Sequence, residues 1–339
     1  MEYTTLGRTG LRVSVAGLGC GGGSRLGLAR GNTRGEAVNA VRYAVDLGVN
    51  VIDTAASYGT ESVVGEALRG LKRESLVLST KHLLWDQDGL QTAKQVVAGL
   101  ENSLRLLQTD YVDVFFLHAL TLHHQGEPLY EHAANEIIEA LLIEKEKGKF
   151  RFLGATGAPN FEPCHDAIAR AIDDDLIDVA MVAFSIFNQN ARELVFPKAS
   201  AHDVGTMLAF VVRNVFADDD HLRATLRKLA HEGKVPSDLA ERRDPLDFLI
   251  HEGGAGNHLD AAYRYARHEP GANVVLFGSG DAGHIRQNIA SITAPPLPPA
   301  DRAQIQQLFG ALVGVGLDIP GGAAPGAPIV RPTTSAAPI

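Results

Sequence analysis

Asp53, Tyr58, Lys81 and His118 provide a carboxylate, a phenol, an ammonium and an imidazole. Such a set can deliver a proton to an oxygen while hydride arrives at the neighbouring carbon, which is what reducing a carbonyl requires. A free phenol is a weak acid, with a pKa of roughly 10. A neighbouring ammonium stabilises the phenolate, so Lys81 is expected to lower the pKa of Tyr58 and make proton transfer feasible near neutral pH. Asp53 would pair with Lys81 to keep it charged and oriented. His118 could donate a hydrogen bond to a substrate oxygen as negative charge builds there. Singly, each residue has a plainer use: Asp53 before Thr54 can cap a turn, Lys81 can be a surface strand end, Tyr58 a packing residue and His118 a core histidine. Their order and spacing together favour the chemical reading.

To act together the four must be delivered to one place. Strand-like runs occur at Val15–Leu18, Val49–Ile52, Leu76–Ser79, Val112–Leu117, Arg151–Ala155, Val179–Phe184, Thr206–Val212 and Val274–Phe277. They are apolar on both faces, as parallel strands covered by helices outside and packed inside must be. Helical patterns lie between them. Thr33-Arg34-Gly35-Glu36 has capping-box spacing before a helix that runs to Gly48. Ser62–Leu71, Thr92–Leu107 and Tyr130–Lys147 follow, the last stopped by Gly148. Repeated strand–helix alternation predicts an α/β fold, read here as a single (β/α)8 TIM barrel. Active sites of such barrels form at the C-terminal ends of the strands. Asp53 would end the second strand, Lys81 the third and His118 the fourth, with Tyr58 in the loop after Asp53.

Ahead of the barrel, Tyr3–Leu6 and Leu11–Val13 flank Gly7–Gly10 and predict a β-hairpin able to plug one end. The charged stretch from Arg213 to Asn257 is long for a connection and predicts a helix plus an irregular insertion. The barrel is expected over residues 1–317. Residues 318–339, rich in Pro, Gly and Ala, read as a flexible, disordered tail.

Composition excludes several classes. The chain has 31 basic and 40 acidic residues and no long Lys/Arg run, which argues against nucleic acid as a partner. Cys20 and Cys164 form neither a disulfide framework nor a CxxC pair, as suits a reducing cytoplasm. The start MEYTTLGRTG lacks signal-peptide features, and no apolar run reaches the length of a membrane span. A soluble, cytoplasmic protein is expected. His118, His123 and His124, or His251, Glu252 and His258, lack metal-ligand spacing, so no metal is expected. Trp85, the sole tryptophan, would line a substrate pocket or merely pack its loop.

The chain resembles the aldo-keto reductases. The resemblance rests on Gly48-Val49-Asn50-Val51-Ile52-Asp53-Thr54-Ala55-Ala56-Ser57-Tyr58-Gly59, on Leu78-Ser79-Thr80-Lys81, and on Asp110-Tyr111-Val112-Asp113 leading to Leu117-His118. The opening Leu6-Gly7-Arg8-Thr9-Gly10 and the run Gly148-Lys149-Phe150-Arg151-Phe152-Leu153-Gly154 are similar too. It implies a catalytic tetrad of Asp53, Tyr58, Lys81 and His118, hydride transfer from a nicotinamide held across the barrel mouth, and a small carbonyl or sugar substrate. Cys20 and Gly21 would touch nicotinamide or substrate.

Several cofactor positions depart from the pattern. Thr156-Gly157 stands where the family has Ser-Asn for the nicotinamide carboxamide, Met181 replaces a glutamine, and Phe210 replaces the stacking tyrosine. Val211-Val212-Arg213 replaces Ser-Pro-Leu. Gly278-Ser279-Gly280 through His284 to Asn288 aligns with the adenosine-phosphate site, its glycines suited to a helix N-terminus. Gly278 and His284 stand where lysine and arginine are usual, Arg286 could help, and the lean to NADP(H) over NAD(H) rests on family habit. The altered contacts keep open a nicotinamide-binding regulatory protein with vestigial catalysis. Gly17-Leu18-Gly19-Cys20-Gly21-Gly22 matches G-x-G-x-x-G, but Gly23–Asn32 opens no evident helix, so a Rossmann dehydrogenase is the weaker alternative and a Gly-rich loop at a barrel mouth the plainer one.

Overall fold

Eight parallel strands close into a barrel in the computed structural model, which describes residues 1–317. In chain order they are Ala16–Gly19, Val51–Asp53, Val77–Leu83, Val112–Leu120, Phe150–Gly157, Val179–Ala183, Gly205–Ala209 and Val274–Phe277. Each pairs with its neighbours in sequence, and the eighth closes on the first through Leu276 opposite Gly17. All eight predicted runs are therefore strands. The third and fourth extend beyond their predicted ends, pairing as far as Leu83 opposite His118. Lys81 and His118 thus stand within continuing strands rather than at their last residues.

The strands hold two apolar layers apart. Outward residues such as Ile52, Leu78 and Phe115 pack against the surrounding helices. Inward residues Val51, Val77, Val114, Phe116, Val179, Met181, Met207 and Val274 fill the barrel. Leu6, Leu11 and Val13 join that inner filling. They come from the predicted hairpin, in which Tyr3–Thr5 pairs antiparallel with Arg12–Ser14. The hairpin thus plugs the end opposite the C-terminal rim.

Local signals placed the first helices well. Thr33 and Glu36 form a reciprocal capping box on Arg34–Asp46, and Thr92 and Gln95 form another on Ala93–Leu107. The second helix is Glu61–Leu68, shorter than predicted, because the chain has turned by Gly70, whose φ is +80°. The helix leading to Gly148 carries a π-turn at Ala133–Ile137, which periodicity did not reveal. Residues 213–257 hold three α-helices and a 3-10 turn rather than one helix: Asn214–Ala217, Asp219–His231 and Ser237–Glu241, with the turn at Asp247–Leu249. Leu222, Leu226 and Leu229 anchor the longest of them in the core. His251 ties the segment to the last helix through Asp301 at 3.0 Å, and His258 pairs with Asp244. The tail predicted for 318–339 lies outside the described residues. Among those described, no helix is long and apolar enough to cross a membrane.

Candidate active site

Alternation along the strands decides which side chains reach the barrel's interior. Val51 and Asp53 share a face of their strand, as do Val77, Ser79 and Lys81, and Val114, Phe116 and His118. The apolar members belong to the inner filling, so the polar members sit above it toward the C-terminal rim. Tyr58 ends a single 3-10 turn, Ala56–Tyr58, in the loop after the second strand.

Lys81 is only 1% exposed and Asp53 3%. The ammonium donates to the two carboxylate oxygens at 2.5 and 2.6 Å and to the Thr54 carbonyl at 2.8 Å. These three acceptors match the three donors of a lysine, so its orientation is fixed. Ser79 donates to Asp53 Oδ1 at 2.7 Å and holds the carboxylate in turn. Burial works against the ammonium's charge, but Asp53 and Tyr58 outweigh it and raise the Lys81 pKa.

The Tyr58 ring lies between its partners. Its centroid is 5.2 Å from Lys81 Nζ, and His118 meets it edge-on at 5.7 Å and 87°. Gly21 lies flat against it: a Cβ there would fall 2.5 Å from Tyr58 Cε2. Burial raises the Tyr58 pKa, Lys81 and Arg213 pull it down, and the net shift is upward. The expected acidity near neutral pH is corrected accordingly. Lys81 acts in the expected direction, but loss of hydration is the larger influence. His118 is pushed down to about 3, by burial first and then by Lys81 and His82, so its ring is neutral at pH 7. Its Nδ1 is buried without a hydrogen-bond partner.

The predicted cofactor positions divide into two groups. At the catalytic end, Cys20 is fully buried, and burial pushes its thiol pKa far up. Its N–H donates to the Asp53 carbonyl at 2.8 Å. Thr156 Oγ1 accepts from the Ala119 N–H at 2.8 Å. A side chain at Gly157 would meet His165 and Ile168, so this position offers backbone alone. Met181 is 5% exposed and belongs to the apolar filling with Val179 and Met207. Phe210 adopts a left-handed φ of +61°, and the Arg213 guanidinium covers its ring at 3.9 Å.

The second group lies after the eighth strand. Gly280 packs so tightly on the Leu26 carbonyl that any side chain would collide, and Asn32 Nδ2 donates to the Gly280 carbonyl at 3.1 Å. The Gly-rich loop after the first strand therefore abuts the Gly278–Gly280 turn. Ser279 Oγ accepts from Asp281 N–H at 3.1 Å. Asp281 then caps the helix Ala282–Ile292 by accepting from His284 N–H at 2.8 Å, and that bond lowers its pKa. His284 is exposed and Asn288 partly buried on this helix. Arg286, exposed on the same helix, donates to the Tyr43 hydroxyl at 2.6 and 3.0 Å.

A profile of the Aldo/keto reductase family matches residues 18–309, nearly the whole barrel. The chain belongs to the aldo-keto reductase family. It is 27% identical over 336 residues to Aldo-keto reductase YhdN of Bacillus subtilis (strain 168), covering 91% of this chain and 94% of that one. L-galactose dehydrogenase of Arabidopsis thaliana is 34% identical over 165 residues, 47% of this chain and 49% of its own. Among solved structures, an aldo-keto reductase from Klebsiella pneumoniae in complex with NADP and acetate superposes with a TM-score of 0.64 at 25% identity, covering 91% and 96% of the two chains. This aldo-keto reductase is thus an oxidoreductase of a nicotinamide-using family.

Membership also disposes of the Rossmann alternative. Gly17–Gly19 lie in a barrel strand, and the glycines after them lie in a loop, not at a dinucleotide-binding helix start. Sequence reasoning missed Ser79, although its two-residue offset from Lys81 placed it on the inward face. It also missed the weight of Arg213 at the rim, where a basic residue in the loop after the seventh strand was the available signal. Nothing in the sequence announced the left-handed Ala119 beside His118. Trp85 stacks on His124, their ring centroids 4.2 Å apart.

Proposed function

We propose that this aldo-keto reductase reduces an aldehyde or ketone with a nicotinamide cofactor, or oxidises the corresponding alcohol or aldose, and that Tyr58 is its general acid and base. The observation that carries the reading is the Lys81 ammonium, locked by Asp53 at 2.5 and 2.6 Å and lying 5.2 Å from the Tyr58 ring centroid. The residues present suit a nicotinamide dinucleotide. Gly21 lets the Tyr58 ring pack against bare backbone at the mouth, Phe210 offers a flat ring, and Arg213 brings positive charge to the same rim. Cys20, Gly21, Thr156, Gly157, Met181 and Phe210 would border the nicotinamide end, with Gly278, Ser279, Gly280, His284 and Asn288 at the adenosine end.

A bound reduced nicotinamide would supply the hydride. The chain supplies the proton and the charge balance. With the carbonyl oxygen between Tyr58 Oη and His118, negative charge developing on that oxygen meets a hydrogen bond from neutral His118. The tautomer protonated at Nε2 fits, since Nδ1 is buried without a partner. Tyr58 then gives up its proton, and Lys81 offsets the charge left on the phenolate. In oxidation the same groups act in reverse. The buried Cys20 remains a thiol and takes no part as a nucleophile.

Family habit and the NADP-bound neighbour favour NADP(H). Local charge narrows that preference. Asp281 places a carboxylate at the helix N-terminus, and Arg286 is engaged by Tyr43. The name of the plant relative points to aldose oxidation as one direction to test.

The test is to titrate the purified protein with NADH and NADPH, then follow reduced-nicotinamide absorbance against aldehydes, ketones and sugars. Multiple turnovers with at least one carbonyl are expected, as are dissociation constants for the two nucleotides within about tenfold, a difference of about 1.4 kcal/mol. Tight nucleotide binding with no turnover in either direction would instead favour the regulatory reading.

A further inference from the structure

The loop-facing end of the fourth strand is irregular in a way that bears on His118. Leu117 pairs with Ala155 and Leu120 with Gly157, so His118 and Ala119 together stand opposite the single residue Thr156. This is a β-bulge, a feature that turns a side chain off its regular course. It is made by Ala119, whose φ of +58° lies in the left-handed region that residues with a Cβ seldom adopt. Such a conformation persists only where the surroundings fix it. Here the fixing contact is the hydroxyl of Thr156, 5% exposed, accepting from the Ala119 N–H at 2.8 Å.

We infer that Thr156 is a positioning residue for His118: by anchoring the Ala119 amide it holds the bulge that sets the imidazole edge-on to Tyr58. The inference rests on the proposed catalytic role of His118. It differs from the role the family resemblance implies for this position, contact with the nicotinamide carboxamide. The hydroxyl already serves as an acceptor within the protein, and the bond it accepts leads to the imidazole.

The two roles separate experimentally. Thr156→Val keeps shape but removes the acceptor. Its kcat is expected to fall about ten- to a hundredfold, the order of loss that misplacing a reacting group by about 1 Å brings, with nucleotide Kd and carbonyl KM changing by a smaller factor than kcat. Thr156→Ser should restore kcat. An arm independent of turnover uses the protein without nucleotide, labelled with 15N-histidine. The His118 ring signal, assigned by its loss in His118→Asn, should shift in Thr156→Val and return in Thr156→Ser. Should the valine variant fold poorly, Thr156→Ala removes the hydroxyl without adding bulk and carries the same expectations. A loss expressed mainly as weaker nucleotide binding, or a His118 signal unmoved in the hydroxyl-less variants, would overturn the inference. If wild type turns over no carbonyl, the functional reading fails while the histidine spectra still decide whether Thr156 sets the ring.

Discussion

Tyr58→Phe should lower kcat for carbonyl reduction by a factor on the order of a hundred to ten thousand, the range that a positioned proton donor contributes. The ring would still fill the space between Gly21, Lys81 and His118, because its contacts there are with the aromatic face and edge. Nucleotide affinity, read by fluorescence titration, should therefore stay within about threefold of wild type, as for changes that leave packing intact. The loss should appear equally in the oxidative direction, since one phenol serves both. A variant with wild-type kcat would remove Tyr58 from the chemistry.

Lys81→Met should harm both catalysis and folding, for separable reasons. Without the ammonium, the stronger of the two charge effects that favour the Tyr58 phenolate is lost, leaving Arg213, and kcat should fall by about a hundredfold or more. The substitution also leaves Asp53, 3% exposed, as a buried carboxylate with its main partner gone. Breaking a buried pair in this way costs about 3–5 kcal/mol, read as a lower urea midpoint. The double variant Asp53→Asn/Lys81→Met should recover much of that stability and none of the activity. A Lys81→Met variant that unfolded at the wild-type midpoint would show that the buried pair contributes nothing to stability.

Much of this arrangement is legible in the sequence because its causes are local or periodic. Strands buried on both faces must be apolar throughout, so their eight runs stand out. Thr33–Glu36 and Thr92–Gln95 signal helix starts because a capping box closes within four residues. Asp53 and Lys81 come from adjacent strands and Tyr58 from the loop that follows the first of them, so order along the chain becomes proximity in space. What escaped depends on distant partners. The π-turn at Ala133–Ile137 and the left-handed Ala119 are set by packing, not by propensity. The contact of Arg286 with the Tyr43 hydroxyl, 243 positions away in sequence, is made only by the closed fold. The net pKa of Tyr58 depends on how much water the closed barrel excludes, and no residue pattern reports that.

In the proposed mechanism a neutral His118 and a protonated Tyr58 receive the charge of the reacting oxygen. The single-turnover rate of carbonyl reduction, measured across pH with nucleotide already bound, addresses it most directly. His118 titrates at about 3 and Tyr58 above the ordinary phenol value, so neither changes state in the neutral range. The rate should be flat from about pH 6 to 9 and decline only in alkali, where a phenol of pKa above roughly 10 loses its proton. An inflection between about pH 6 and 8 would show that His118 or Tyr58 changes its protonation state in the neutral range, and the mechanism would fail.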